Sequence, residues 1–234
     1  MMNNNSSGKW ENISKQEKIV LALLPFGVPL IPPLGISCLK VFLQQHGFIN
    51  VKTIDIIVEP GFKDEYTEYF DILKQAFMGK ENEEVIHGNY YYNVGHIVLT
   101  HHMMAHLNYN DEDKYIRMIK MLIYKNFYTA VDDEMVLKLK KVIDKFYNRM
   151  ERFLIRVLEE EKPGVLGLST SRDTLPASMY AFKMTRKKYP HIKTVMGGTV
   201  FFDELAPGTT ALQTFLDETK DYLDKIIIGE GELL

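Results

Sequence analysis

The chain has 234 residues, of which 46% are hydrophobic and 25% charged, with a formal net charge of -3. That is enough apolar material for one large domain or two small ones, whereas scattered charges of both signs give no basic field to neutralise a phosphate backbone, so nucleic acid is not expected as a partner. One cysteine, Cys38, excludes an internal disulfide and any Cys-held cluster made by this chain alone, and a cytoplasmic location fits that usage.

Residues 1–17 are polar, carry no apolar signal core and are expected to form a disordered leader. Lys18 to Leu24 is a short apolar run closed by Pro25, the pattern of a parallel strand buried on both faces. Prolines 25, 29, 32 and 33 break the most apolar stretch, so no membrane-spanning helix is expected there. Pro33-Leu34-Gly35 opens a helix with apolar positions Ile36, Leu39, Val41, Phe42 and Leu43; His46-Gly47 ends it, and Val51 to Ile57 reads as a second strand. The rhythm returns later, with strand 164–169, helix 175–189, strand 192–196, helix 208–221 and strand 225–228. This alternation predicts an α/β fold: a Rossmann-like, doubly wound, parallel five-stranded sheet of order 2-1-3-4-5, built from 18–58 and 163–234. Residues 59–162 show helical periodicity around Phe70–Phe77, Tyr115–Tyr124 and Val136–Leu158, which predicts a large helical insertion between strands 2 and 3.

Open parallel sheets bind ligands beyond the carboxyl ends of their strands, where helix N-termini offer free N–H groups. Here those ends are a proline-stiffened apolar loop at 25–35, the hydroxyl-rich Ser169-Thr170-Ser171 with Leu175 beyond it, Gly197-Gly198-Thr199, and Gly229-Glu230-Gly231-Glu232. Together they suit a large, partly flat, hydrogen-bonding ligand, although each glycine turn alone is also what any tight strand-to-helix turn needs. Neither G-x-G-x-x-G after the first strand nor G-x-x-x-x-G-K-S/T is present, which disfavours the common nucleotide-binding loops. His102 and His106 stand at helical spacing, but without an intervening Glu and beside Met103, Met104 and Leu107 they read, with His101, as packing and capping residues. Tyr90-Tyr91-Tyr92 reads as a strand edge or insertion surface, and Lys138, Lys140 and Lys141 as a solvated helix face.

Six segments carry a resemblance: Pro-Pro-Leu-Gly-Ile at 32–36, His-Gly-Phe at 46–48, Ile-Asp-Ile at 54–56, Gly-Leu-Ser-Thr-Ser at 167–171, Thr-Val-Met-Gly-Gly at 194–198 and Ile-Ile-Ile-Gly-Glu-Gly-Glu at 226–232. In order and spacing they resemble the N-terminal cobalamin-binding domain of cobalamin-dependent radical SAM enzymes, and the insertion is not covered. The resemblance implies a corrin across the carboxyl edge of the sheet, with Pro32, Pro33, Leu34 and Gly35 facing its lower side. It implies Ser169, Thr170, Ser171 and Leu175 along the nucleotide tail, Gly197, Gly198 and Thr199 admitting that tail, and Gly229, Glu230, Gly231 and Glu232 closing the groove. It also implies a radical SAM barrel beyond residue 234 in the same polypeptide, holding a 4Fe-4S cluster and S-adenosylmethionine. The present chain would then orient a corrin for methyltransferase-like radical chemistry on a peptide or small molecule, and would be non-catalytic alone. The D-x-H-x-x-G motif of other cobalamin proteins is missing and 25–35 has no His, so no imidazole from that loop would ligate cobalt. The alternative expectation is a cofactor-free Rossmann-like scaffold whose insertion recruits a peptide or protein substrate.

Overall fold

The computed structural model describes residues 13–25, 34–77 and 89–229, side chains at 89 and 90 excepted. Ile19–Leu23 (β1), Val51–Asp55 (β2), Val165–Ser169 (β3), Lys193–Gly197 (β4) and Lys225–Ile226 (β5) form one parallel sheet in the order β2-β1-β3-β4-β5. Its helices are Leu34–Gln45 (α1), Phe62–Gln75 (α2), Asn89–Asn108 (α3), Glu112–Phe127 (α4), Asp133–Glu161 (α5), Leu175–Lys188 (α6) and Thr210–Thr219 (α7). The expected α/β architecture and strand order are therefore present, and α2 to α5 form the helical insertion between β2 and β3. Among the described residues no helix is long and apolar enough to cross a membrane.

Successive β1 residues are buried on opposite faces, as a sheet covered on both sides requires. Val20, Ala22, Leu166, Leu168 and Met196 enter one large core with α6, α7 and the insertion. The register sets Leu23, Ser169 and Gly197 level at the carboxyl ends of β1, β3 and β4, and the strand order reverses between β1 and β3.

Local chemistry sets the limits of the insertion helices. Asp111 and Asp132 accept the backbone N–H of Lys114 and Met135, satisfying donors that the first turns of α4 and α5 leave open. Tyr128 and Lys162, at φ 53 and 45, end the same helices in the left-handed conformation. Along α5 the buried Val136, Leu139, Ile143, Met150 and Leu154 recur at helical spacing and face α2 and the core.

Three expectations change. Asp55 accepts the Ile57 N–H at 3.0 Å and turns the chain into a 3-10 turn, so the second strand stops at residue 55 rather than 57. Of the expected leader, 1–12 lie outside the described residues, while at 13–17 Glu17 N–H donates to the Ser14 carbonyl and Ile13 packs beneath α1. The triple tyrosine belongs to helix α3, not to a strand edge: Tyr91 is buried and donates to the Phe70 carbonyl at 2.7 Å, and half-exposed Tyr92 stacks on Phe70.

Candidate functional site

On the face of the sheet opposite the insertion, Ile19, Leu21, Val51 and Val165 form a small cluster with α1, Ile13 and Phe48. Since α1 lies along β1 and β2, a cleft of about 290 Å³ opens beside it towards β4 and β5. Ile36, Leu39 and Phe42 of α1 form one wall, Leu21, Gly167, Val195 and Gly197 the floor, and Ile227 the far side. At Gly167 a Cβ would meet Leu21 Cδ2 at 2.8 Å, so the end of that side chain would have to shift to admit one. At Gly197 a Cβ would meet nothing nearer than the Ile227 carbonyl at 3.6 Å, so a longer side chain would grow into the cleft. Ser169 is the one residue with a polar side chain in the lining, and its half-buried hydroxyl has no hydrogen-bond partner among the described residues.

Of the residues expected at the ligand edge, the fold brings Gly35, Ser169, Gly197, Gly198 and Gly229 to this cleft. Thr170 turns the other way, as strand alternation dictates, and its buried hydroxyl bonds to Ser178 Oγ at 3.0 Å. Ser171 donates its N–H to Thr174 Oγ1 at 2.9 Å, a turn that leads into α6, and Leu175 packs on the insertion-side core. Both Thr170 and Leu175 thus serve the opposite face rather than the cleft. Thr199 is exposed in a 3-10 turn, and Leu34, exposed at the start of α1, lines no wall. Gly198 has φ 116, and a Cβ would come within 2.4 Å of the Thr170 carbonyl, so this glycine admits the protein's own backbone while Gly197 faces the cleft. That approach is sealed by Thr170 N–H donating to the Gly197 carbonyl at 2.7 Å and Val200 N–H donating to the Thr170 carbonyl at 3.1 Å. Pro32, Pro33, Glu230, Gly231 and Glu232 lie outside the described residues.

Sequence reasoning missed what the insertion brings to the loop after β3. The Tyr66 hydroxyl and His96 Nε2 are 2.5 Å apart, and Asp173 acts electrostatically on both rings. Burial pushes the His96 imidazole down and Arg172 adds to the effect while Asp173 opposes it; burial, then Tyr92 and Asp173, push the Tyr66 phenol up. Arg172 also lies 3.6 Å from Glu204. The available signal was Gly95 inside an apolar helix: a Cβ there would strike Phe70 Cε1 at 2.4 Å, so this glycine lets α3 close on α2 and sets His96 beside Tyr66. The other histidines pack and pair as their neighbours suggested, with His102 buried between the hydroxyls of Tyr69 and Tyr115 and His106 beside Asp144. No group of metal-ligating side chains occurs among the described residues.

The result is a narrow apolar slot with one hydroxyl, at the reversal of strand order where open α/β sheets take their ligands. Its volume is near the lower end of ligand pockets, about 300 Å³, which suits one flat ring system rather than a whole macrocycle. In comparisons with family models, curated proteins and solved structures, nothing matches this chain.

Proposed function

We propose that the chain is a cobalamin-binding-type domain of a longer radical SAM enzyme, and that the cleft between α1 and β3–β4 receives the nucleotide tail of the cofactor. The observation that carries this reading is the slot itself, floored by Gly167 and Gly197, walled by apolar side chains and with the Ser169 hydroxyl as its one polar side chain. Such a slot selects a flat heteroaromatic base with a ring nitrogen to accept one hydrogen bond, which is what the benzimidazole of a cobalamin tail presents.

Bound cobalamin would supply the methyl-group chemistry. Ser169 would donate to the base, Ile36, Leu39 and Phe42 would exclude water from it, and Gly35 and Gly229, whose missing Cβ positions have no atom within 4 Å, would leave the mouth clear. The 4Fe-4S cluster and S-adenosylmethionine would belong to a catalytic domain outside these 234 residues, acting on a peptide or small molecule. After incubation with hydroxocobalamin and gel filtration, the chain is expected to keep a corrin visible in its absorption spectrum. Gly197→Leu, which fills the slot, is expected to keep none. A wild-type chain that emerges colourless contradicts the reading.

One observation favours the second reading, a cofactor-free scaffold that recruits a peptide or protein. Met121 and Tyr124, 70% and 56% exposed, stand three residues apart on α4, and Tyr128, 81% exposed, follows just past the helix end. This is a stripe of the kind that peptide-binding surfaces present. It predicts that the colourless outcome would be accompanied by substrate capture that Tyr124→Lys abolishes in a pull-down.

A further inference from the structure

A second cavity, of about 360 Å³, opens between the turn that enters α2 and the middle of α5. Arg149, Arg152 and Arg156 line it from α5, and their spacing of three and four residues puts them on one helical face. Two of them are anchored. Arg149 donates from Nε to Glu65 Oε1 at 2.8 Å and from Nη1 to the Pro60 carbonyl at 3.4 Å. Arg156 donates from Nη2 to Glu59 Oε1 at 3.2 Å while its guanidinium lies 4.9 Å from the centre of the Phe153 ring. Gly61 makes room for the first anchor: at φ 99, a Cβ there would sit 2.2 Å from Arg149 Cζ.

These contacts fix two guanidinium forks and leave most of their N–H donors unused, since each guanidinium carries about five. Arg152 is exposed and has no hydrogen bond or ion pair among the described residues. Of the opposing carboxylates among the described residues, Glu65 pairs with Arg149 and Glu59 with Arg156, which leaves Arg152 as the charge in the lining that no carboxylate offsets. In a chain of net charge -3 the hollow therefore concentrates positive charge against the general trend.

We propose that this hollow binds a phosphate monoester, with the anchored Arg149 and Arg156 presenting donors and Arg152 closing on the dianion. Arginine at every position fits, because the planar fork meets phosphate oxygens two at a time where a lysine offers a single point of charge. The two oxygens of a carboxylate would leave one of the forks without an acceptor, whereas the three terminal oxygens of a phosphate monoester serve them all. The site shares no lining residue with the cleft and stands or falls apart from the cobalamin reading.

Calorimetric titration of the chain with inorganic phosphate and with phenyl phosphate at low ionic strength tests it, with benzoate as the carboxylate arm. Saturable one-site binding is expected, weakened about tenfold or more by Arg152→Gln, less by Arg152→Lys, and not at all by Arg117→Gln on α4. Arg152 and Arg117 are exposed, so unchanged thermal melts should accompany all these variants. Absence of saturable heat, equal affinity of the wild type and Arg152→Gln, or tighter binding of benzoate than of either phosphate overturns the proposal.

Discussion

One face of the sheet belongs to a core continuous with α2 through α7, whereas the other is covered by α1 with Ile13 and Phe48 among the described residues. The strands do not cause this difference by themselves: β1 is apolar on both sides, although β3 sets Gly167 and Ser169 towards the cleft and Leu166 and Leu168 towards the crowded core. It arises from what packs on them: Leu168 and Met196 are 2% and 0% exposed beneath the crowded face, while Val195 and Ile227 on the other are only partly covered. A face packed to the density of protein interiors has no room for a ligand; a half-covered one keeps a slot. The contrast is the reason we propose binding at the second face and look for stability at the first.

The strongest test of the crowded face is Phe182→Ala. This α6 side chain has no exposed surface, and its removal is expected to lower unfolding free energy by about 3–5 kcal/mol in a denaturant titration. Next comes a pH effect inside the insertion. His102 is pushed down to about 3 by burial, so it folds neutral, and unfolded chains bind its proton first as pH drops. Its contribution is fully present above its unfolded value of 6.5 and is lost as pH falls towards 3, by about 1.4 kcal/mol per pH unit. His102→Phe should flatten that slope while lowering stability at neutral pH, because the hydroxyls of Tyr69 and Tyr115 lose their partner; an unchanged slope would contradict the assignment. Gly198→Ala forces a Cβ against the Thr170 backbone at positive φ and is expected to cost about 1–3 kcal/mol by thermal melting. The smallest change is on the open face, where Val195→Ala should cost about 1 kcal/mol or less, because its side chain is only partly buried. A loss at Val195 equal to that at Phe182 would erase the distinction between the faces.

The strands and their order were legible because short apolar runs bounded by glycine and proline have few other uses in a chain that alternates with helices. The slot was legible in part. Ser169, Gly197, Gly198, Gly229 and Gly35 stood out as turn chemistry at strand ends, but Gly167 and the wall of Ile36, Leu39 and Phe42 did not, since periodicity shows an apolar helix face without showing how much of the sheet it covers. Thr170 looked equivalent to Ser169 in a hydroxyl-rich loop, yet one step along a strand reverses the side chain, and that step sends it into the core. Helix α3 was hidden because apolar and aromatic residues surround it on all sides, which blurs helical periodicity, and its Tyr66–His96 contact joins elements thirty residues apart.

The central claim is that the open face takes the base at the end of a cobalamin tail. It is tested most directly by comparing retention of hydroxocobalamin with that of cobinamide, which has the same corrin without the base, on the wild-type chain and on Gly197→Leu. The account predicts that wild type keeps the first and releases the second, and that Gly197→Leu releases both. Equal retention of the two corrinoids, or retention that Gly197→Leu leaves unchanged, would contradict it.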